Sequence, residues 1–142
     1  MLPGCKSGEK QNELVPPPPN DDFYQEIGLD IGLNFVHSIG DGELDNIVES
    51  SGGGSAFLDY DQDGYIDLYL TSGTFKEGFS KPPTPARTGQ NRLYKNLGNG
   101  TFEDVTKKAS VGGPWYSMGV TVGDYNNDGY PDIFISNYGP NV

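Results

Sequence analysis

Two nine-residue acidic segments constrain this chain more than anything else in it. Asp59-Tyr60-Asp61-Gln62-Asp63-Gly64-Tyr65-Ile66-Asp67 and Asp124-Tyr125-Asn126-Asn127-Asp128-Gly129-Tyr130-Pro131-Asp132 share the pattern D-Y-[DN]-x-D-G-Y-x-D and start 65 residues apart. Oxygen-bearing side chains fall at positions 1, 3, 5 and 9, with glycine at position 6. A tight loop of this spacing converges oxygens on a hard cation, and the position 7 carbonyl of Tyr65 or Tyr130 adds a ligand. Calcium, which takes roughly six to eight oxygens in flexible geometry, is the natural occupant. Four carboxylates held ~5 Å apart repel by roughly 3 kcal/mol per pair at an effective dielectric near 20, so the loops call for a counter-charge. Ordinary Asx-rich turns are the bland alternative, because Asp, Asn and Gly are turn residues. The matched tyrosines and flanks of the two copies weigh against it.

The flanks separate this module from helical calcium loops. An EF-hand needs a bidentate Glu at position 12 between two helices. Here position 12 is Leu70 or Ile135. Ala56-Phe57-Leu58 and Leu68-Tyr69-Leu70-Thr71 bracket the first loop, and Val120-Thr121-Val122 and Ile133-Phe134-Ile135 the second. Short β-branched and aromatic runs bounded by Gly, Asn and Ser read as strands. Each unit is therefore expected to be a β-hairpin whose turn is a metal site.

The repeat extends beyond the loops. Arg92 to Asn96 reads as a strand, Gly98-Asn99-Gly100 as a turn, Thr101 to Val105 as the next strand, and Asp104 to Ala109 as a short helical turn. Self-similarity at a 50–65 residue period points to a propeller or solenoid. The pattern N-R-L-Y-K-N-L-G-N-G-T-F-E-D-V-T, followed by G-D-Y-N-N-D-G-Y-P-D-I-F-I-S-N, resembles the FG-GAP/VCBS repeats of integrin-α-like β-propellers. The stretch from Gly28 to Gly73 resembles the start of that region in bacterial cartilage-acidic-protein-like (ASPIC/UnbV-associated) proteins. The resemblance covers about residues 23–142. It implies an all-β fold, a partial β-propeller of about two blades of antiparallel strands with calcium-loop hairpins. It also implies Asp59, Asp61, Asp63 and Asp67 as side-chain ligands of one Ca²⁺, and Asp124, Asn126, Asp128 and Asp132 as those of a second. These repeats are generally non-catalytic, and no family enzymatic residue maps onto the chain.

Asn141 aligns with Asn91, so the first repeat carries an extra segment within 75–90, and the chain stops as a third repeat begins. Two repeats cannot close a propeller of typically four to eight blades. The expected organisation is a Pro-rich tether over 1–22, a first repeat over 23–90 with its insert, and a truncated second repeat over 91–142, all part of a longer protein whose remaining blades would be its partners.

The chain carries a net charge of −11, and seven of its 20 acidic residues lie in the two loops. Such a balance argues against nucleic acid and anionic membrane as partners. No apolar run is long enough to span a bilayer. Calcium loops of modest affinity suit an extracytoplasmic setting, secreted, periplasmic or on the cell surface. Leu2-Pro3-Gly4-Cys5 resembles the tail of a bacterial lipobox, and Pro16-Pro17-Pro18-Pro19 would stiffen the tether behind it. The other reading of Cys5 is an incidental thiol.

The remaining residues point away from catalysis. His37, the sole histidine, follows a strand-like Asn34-Phe35-Val36 and has no Ser-His-Asp set around it. Asp41-Gly42-Glu43-Leu44-Asp45 reads as a turn. Trp115 and Tyr116 are read as core wedges, and Tyr60 and Tyr125, which recur at one loop position, as packing residues. The insert with Lys76, Lys81 and Arg87 is locally basic and is the expected contact surface. The function expected is a calcium-stabilised, non-catalytic binding or adhesion module for a protein or glycan ligand. The alternative is an accessory or scaffold domain of a larger enzyme acting on an extracellular polymer. With four carboxylates against three, the first loop is expected to bind calcium more tightly.

Overall fold

A computed structural model describes residues 24–41, 43–44, 46–78 and 89–142 of the chain. The tether, Cys5 and most of the insert lie outside these residues. After a 3-10 turn at Glu49–Ser51, the elements are β1 (Ser55–Leu58), β2 (Asp67–Leu70), β3 (Arg92–Asn96), β4 (Phe102–Asp104), α1 (Thr106–Ala109), β5 (Ser117–Gly123) and β6 (Asp132–Asn137). Strands β1-β2-β3-β4 form an antiparallel four-stranded sheet in sequential order, and β5-β6 form a two-stranded antiparallel sheet. The all-β architecture expected of a partial propeller is therefore present.

The two hairpins are superimposable in register. Ser55 pairs with Leu70 and Leu58 with Asp67, while the equivalent Val120 pairs with Ile135 and Gly123 with Asp132. The likeness continues into the next strand. Asn91 Oδ1 accepts from Ser72 N at 2.9 Å, and Asn141 Oδ1 accepts from Asn137 N at 2.9 Å. Val142 exchanges backbone bonds with Ile135, as Arg92 pairs with Leu70. The four-stranded sheet includes β3 and β4, which lie beyond residue 90.

The core forms where alternate residues of both sheets point inward. Leu58, Tyr69, Leu93, Val105 and Ile135 are buried together, with Tyr60, Trp115, Val120 and Ile133 packed against them. The sheets touch through their first strands at Gly54, where an added Cβ would lie 3.0 Å from Gly119 Cα. Two polar side chains are satisfied across the core: Asn91 Nδ2 donates to Ser117 Oγ at 3.0 Å, and Tyr69 Oη donates to Val111 O at 2.7 Å.

Two expectations need correction. Asn34-Phe35-Val36 is not a strand. That stretch is held by other means: Tyr94 Oη donates to Asn34 Oδ1, and Gly73 N donates to Ser38 O. Tyr60 packs as expected, but Tyr125 is 95% exposed, because its two-stranded sheet offers no third and fourth strand for the ring to lie on. Trp115 packs against the core cluster. Tyr116 is buried, and its hydroxyl donates to Ile39 O at 3.0 Å.

Candidate metal centre

The β1-β2 and β5-β6 turns are built by the same hydrogen bonds. In the first, Asp59 accepts from Asp63 N at 3.1 Å and from Gly64 N at 2.9 Å. In the second, Asp124 accepts from Asp128 N at 3.1 Å and from Gly129 N at 2.9 Å. Asp63 and Asp128 then each accept from the N–H two residues on, Tyr65 and Tyr130. The last aspartate closes the loop by accepting from residue 2: Tyr60 N for Asp67 and Tyr125 N for Asp132, both at 2.9 Å. Position 6 is glycine because the loop needs φ of 87° at Gly64 and 86° at Gly129, backbone that glycine adopts without strain. Gln62 and Asn127 hold position 4 at φ near +59°, the left-handed conformation.

Three of the first loop's carboxylates converge. Asp59, Asp61 and Asp67 offer oxygens within 4.8 Å of one another, the one such acidic cluster among the described residues. Asp67 is fully buried. Its other oxygen accepts from Asn96 N at 2.8 Å, a donor supplied by β3. Burial pushes the Asp67 carboxyl above its usual range, and the charges of Asp61 and Asp63 add to that, while the bonds from Asn96 and Tyr60 oppose it. A desolvated carboxylate facing two others is a donor set of hard oxygens only, which fits calcium and disfavours softer, nitrogen- or sulfur-seeking metals.

Asp63 does not join this trio. Its side chain instead meets Lys95, at 2.7 Å between Oδ2 and Nζ, and the same ammonium pairs with Asp61. The pairing holds the Asp63 carboxyl below its usual range and raises the Lys95 ammonium above its own. Sequence reading missed Lys95. The signal was the register: Leu68 pairs with Tyr94, so the next residue of β3 reaches the loop end of β2. Tyr65 rests its ring on Gly98, where a Cβ would lie 2.4 Å from Cζ. In the second loop, Asn126 replaces Asp61, and its amide donates to Asp128 Oδ2 at 2.9 Å.

These features define an all-β repeat protein built from hairpins with acidic, oxygen-lined turns. Residues 59–135 match the family model described as FG-GAP-like repeat, and the chain belongs to that family. It is also similar to cartilage acidic protein 1 of Mus musculus, 44% identical over 51 residues, and to that of Homo sapiens, 42% identical over 51 residues. Each match covers 35% of this chain and 8% of the relative. No solved structure matches.

Proposed function

We propose that the chain forms two adjoining repeats of a calcium-stabilised β-propeller that serves as a non-catalytic, extracytoplasmic binding or adhesion module. In sequence terms the repeats run over 23–90 and 91–142, behind a Pro-rich tether over 1–22. The observation that carries this reading is the convergence of Asp59, Asp61 and Asp67 in a loop whose hydrogen-bond scaffold recurs at Asp124–Asp132. Calcium in the first loop is held by Asp59, Asp61, Asp63 and Asp67 with the Tyr65 carbonyl, and in the second by Asp124, Asn126, Asp128 and Asp132 with the Tyr130 carbonyl. The metal's role is structural: it cancels repulsion among carboxylates at the end of a hairpin and ties that hairpin's strands together. No helix among the described residues is long and apolar enough to cross a membrane.

The test is calorimetric titration of calcium into metal-stripped protein, beside thermal melts with calcium and with EDTA. Two saturable sites and a higher melting temperature in calcium are expected. No heat and no shift would reduce the loops to acidic turns and remove the basis for an extracytoplasmic setting.

A further inference from the structure

Lys95 stands out because it answers a charge difference between the loops. The first loop has four carboxylates and the second three. Lys95 brings one positive charge to the first, through Asp61 and Asp63, so both loops carry the same net charge of −3. The lysine engages Asp61, a member of the convergent trio, and holds Asp63 outside that trio. A cation bound by all four carboxylates therefore needs at least part of this pairing released. The release is local, since the Lys95 side chain keeps 21% of its surface open to solvent and its flexible stem lets the ammonium swing into water.

We propose that Lys95 is a tethered counter-cation of the first loop, holding Asp61 and Asp63 while metal is absent and giving way when calcium binds. This rests on the calcium reading above. It reverses the ranking expected from carboxylate count alone, because calcium at the first loop has to displace a resident charge and at the second it does not. The lysine also offsets part of the carboxylate repulsion in the metal-free loop.

The experiment uses Asp128→Ala to silence the second loop, then adds Lys95→Gln or Lys95→Arg and titrates calcium by calorimetry. Exposed ion pairs are individually weak, so Lys95→Gln is expected to bind calcium about fivefold to tenfold more tightly, and Lys95→Arg within about twofold of the Asp128→Ala parent. In EDTA, Lys95→Gln is expected to melt below the parent, and saturating calcium is expected to abolish that gap. Equal or weaker calcium binding by Lys95→Gln, with Asp128→Ala still binding, would overturn the proposal and leave the calcium reading standing. If wild type and Asp128→Ala both bind no calcium, the calcium reading fails and takes this proposal with it. Lys95→Gln would then melt equally low in calcium and in EDTA.

Discussion

Gln62 Nε2 donates to Gly129 O at 2.6 Å, joining the fourth position of one acidic loop to the sixth position of the other. The two turns therefore lie side by side, with Asp59 and Asp124 on the walls of the gap between them. Charge on one loop is felt by the other, and a cation bound in either weakens the negative potential that draws a second cation to its neighbour. Calcium binding is expected to be negatively coupled. Asp61→Ala, which leaves the first loop empty, should tighten calcium at the intact second loop by about threefold to tenfold relative to its affinity beside a calcium-loaded first loop, a coupling of roughly 1 kcal/mol. Gln62→Ala should lower stability by about 0.5–1 kcal/mol and reduce the coupling. Equal second-loop affinity in Asp61→Ala and wild type, measured by titration, would show the loops to be independent.

Gly54 and Gly119 occupy equivalent positions in the two repeats and meet where the sheets touch. A Cβ on Gly54 would lie 3.0 Å from Gly119 Cα and from Val120 N, and backbone atoms have no rotamer by which to yield. Gly54→Ala is expected to cost about 1–3 kcal/mol, as overpacking does. Gly123→Ala, with nothing within 4 Å of the added carbon, is expected to change stability by less than about 0.5 kcal/mol. Denaturant unfolding of the two variants checks the contrast.

What was legible in the sequence is what the backbone makes locally. Asp59 and Asp124 take N–H groups four and five residues on, and Gly64 and Gly129 supply the turn, so pattern alone locates the loops and their flanking strands. The third strand was equally visible, since Asn91 and Asn141 carry the same bond. Lys95 and Asn96 were not visible as site residues. They reach Asp61, Asp63 and Asp67 only through the β2-β3 pairing, about thirty residues away in the chain. Tyr60 and Tyr125 show the same limit from the other side: identical local sequence, one ring packed and one in water, decided by which strands stand alongside.

Tyr69 gives the fold an alkaline limit. Its ring is fully buried, and burial pushes the phenol from 10.0 up to about 12. The folded state thus keeps the proton over a range where the unfolded chain releases it. Stability is fully present below pH 10 and is expected to fall as pH rises from there through about 12. Tyr69→Phe removes the titrating group and, with it, part of that fall, at a lower starting stability because Val111 O loses its donor. Melting temperatures taken at steps of pH for the two proteins check both the direction and the window.

Asp67 separates the metal's contribution from that of the hairpin. Its two oxygens accept from Tyr60 N and Asn96 N, so the side chain is structural before any metal arrives. Burial raises its pKa above the ordinary 3.8, which means that, without metal, its ionisation favours the unfolded chain. In EDTA, stability is expected to decline as pH rises from 3.8 through the raised folded value. Asp67→Asn removes that charge but turns an amide N–H₂ toward one of the two backbone donors, so a gain and a loss nearly cancel. The variant is expected to lie within about 1 kcal/mol of wild type in EDTA at neutral pH. In calcium the two should part: wild type rises in melting temperature, while Asp67→Asn, lacking the buried carboxylate, loses the first loop's share of that rise. Parallel melts in EDTA and in calcium measure both differences. A variant that gains as much from calcium as wild type would show that Asp67 holds the strands and not the ion.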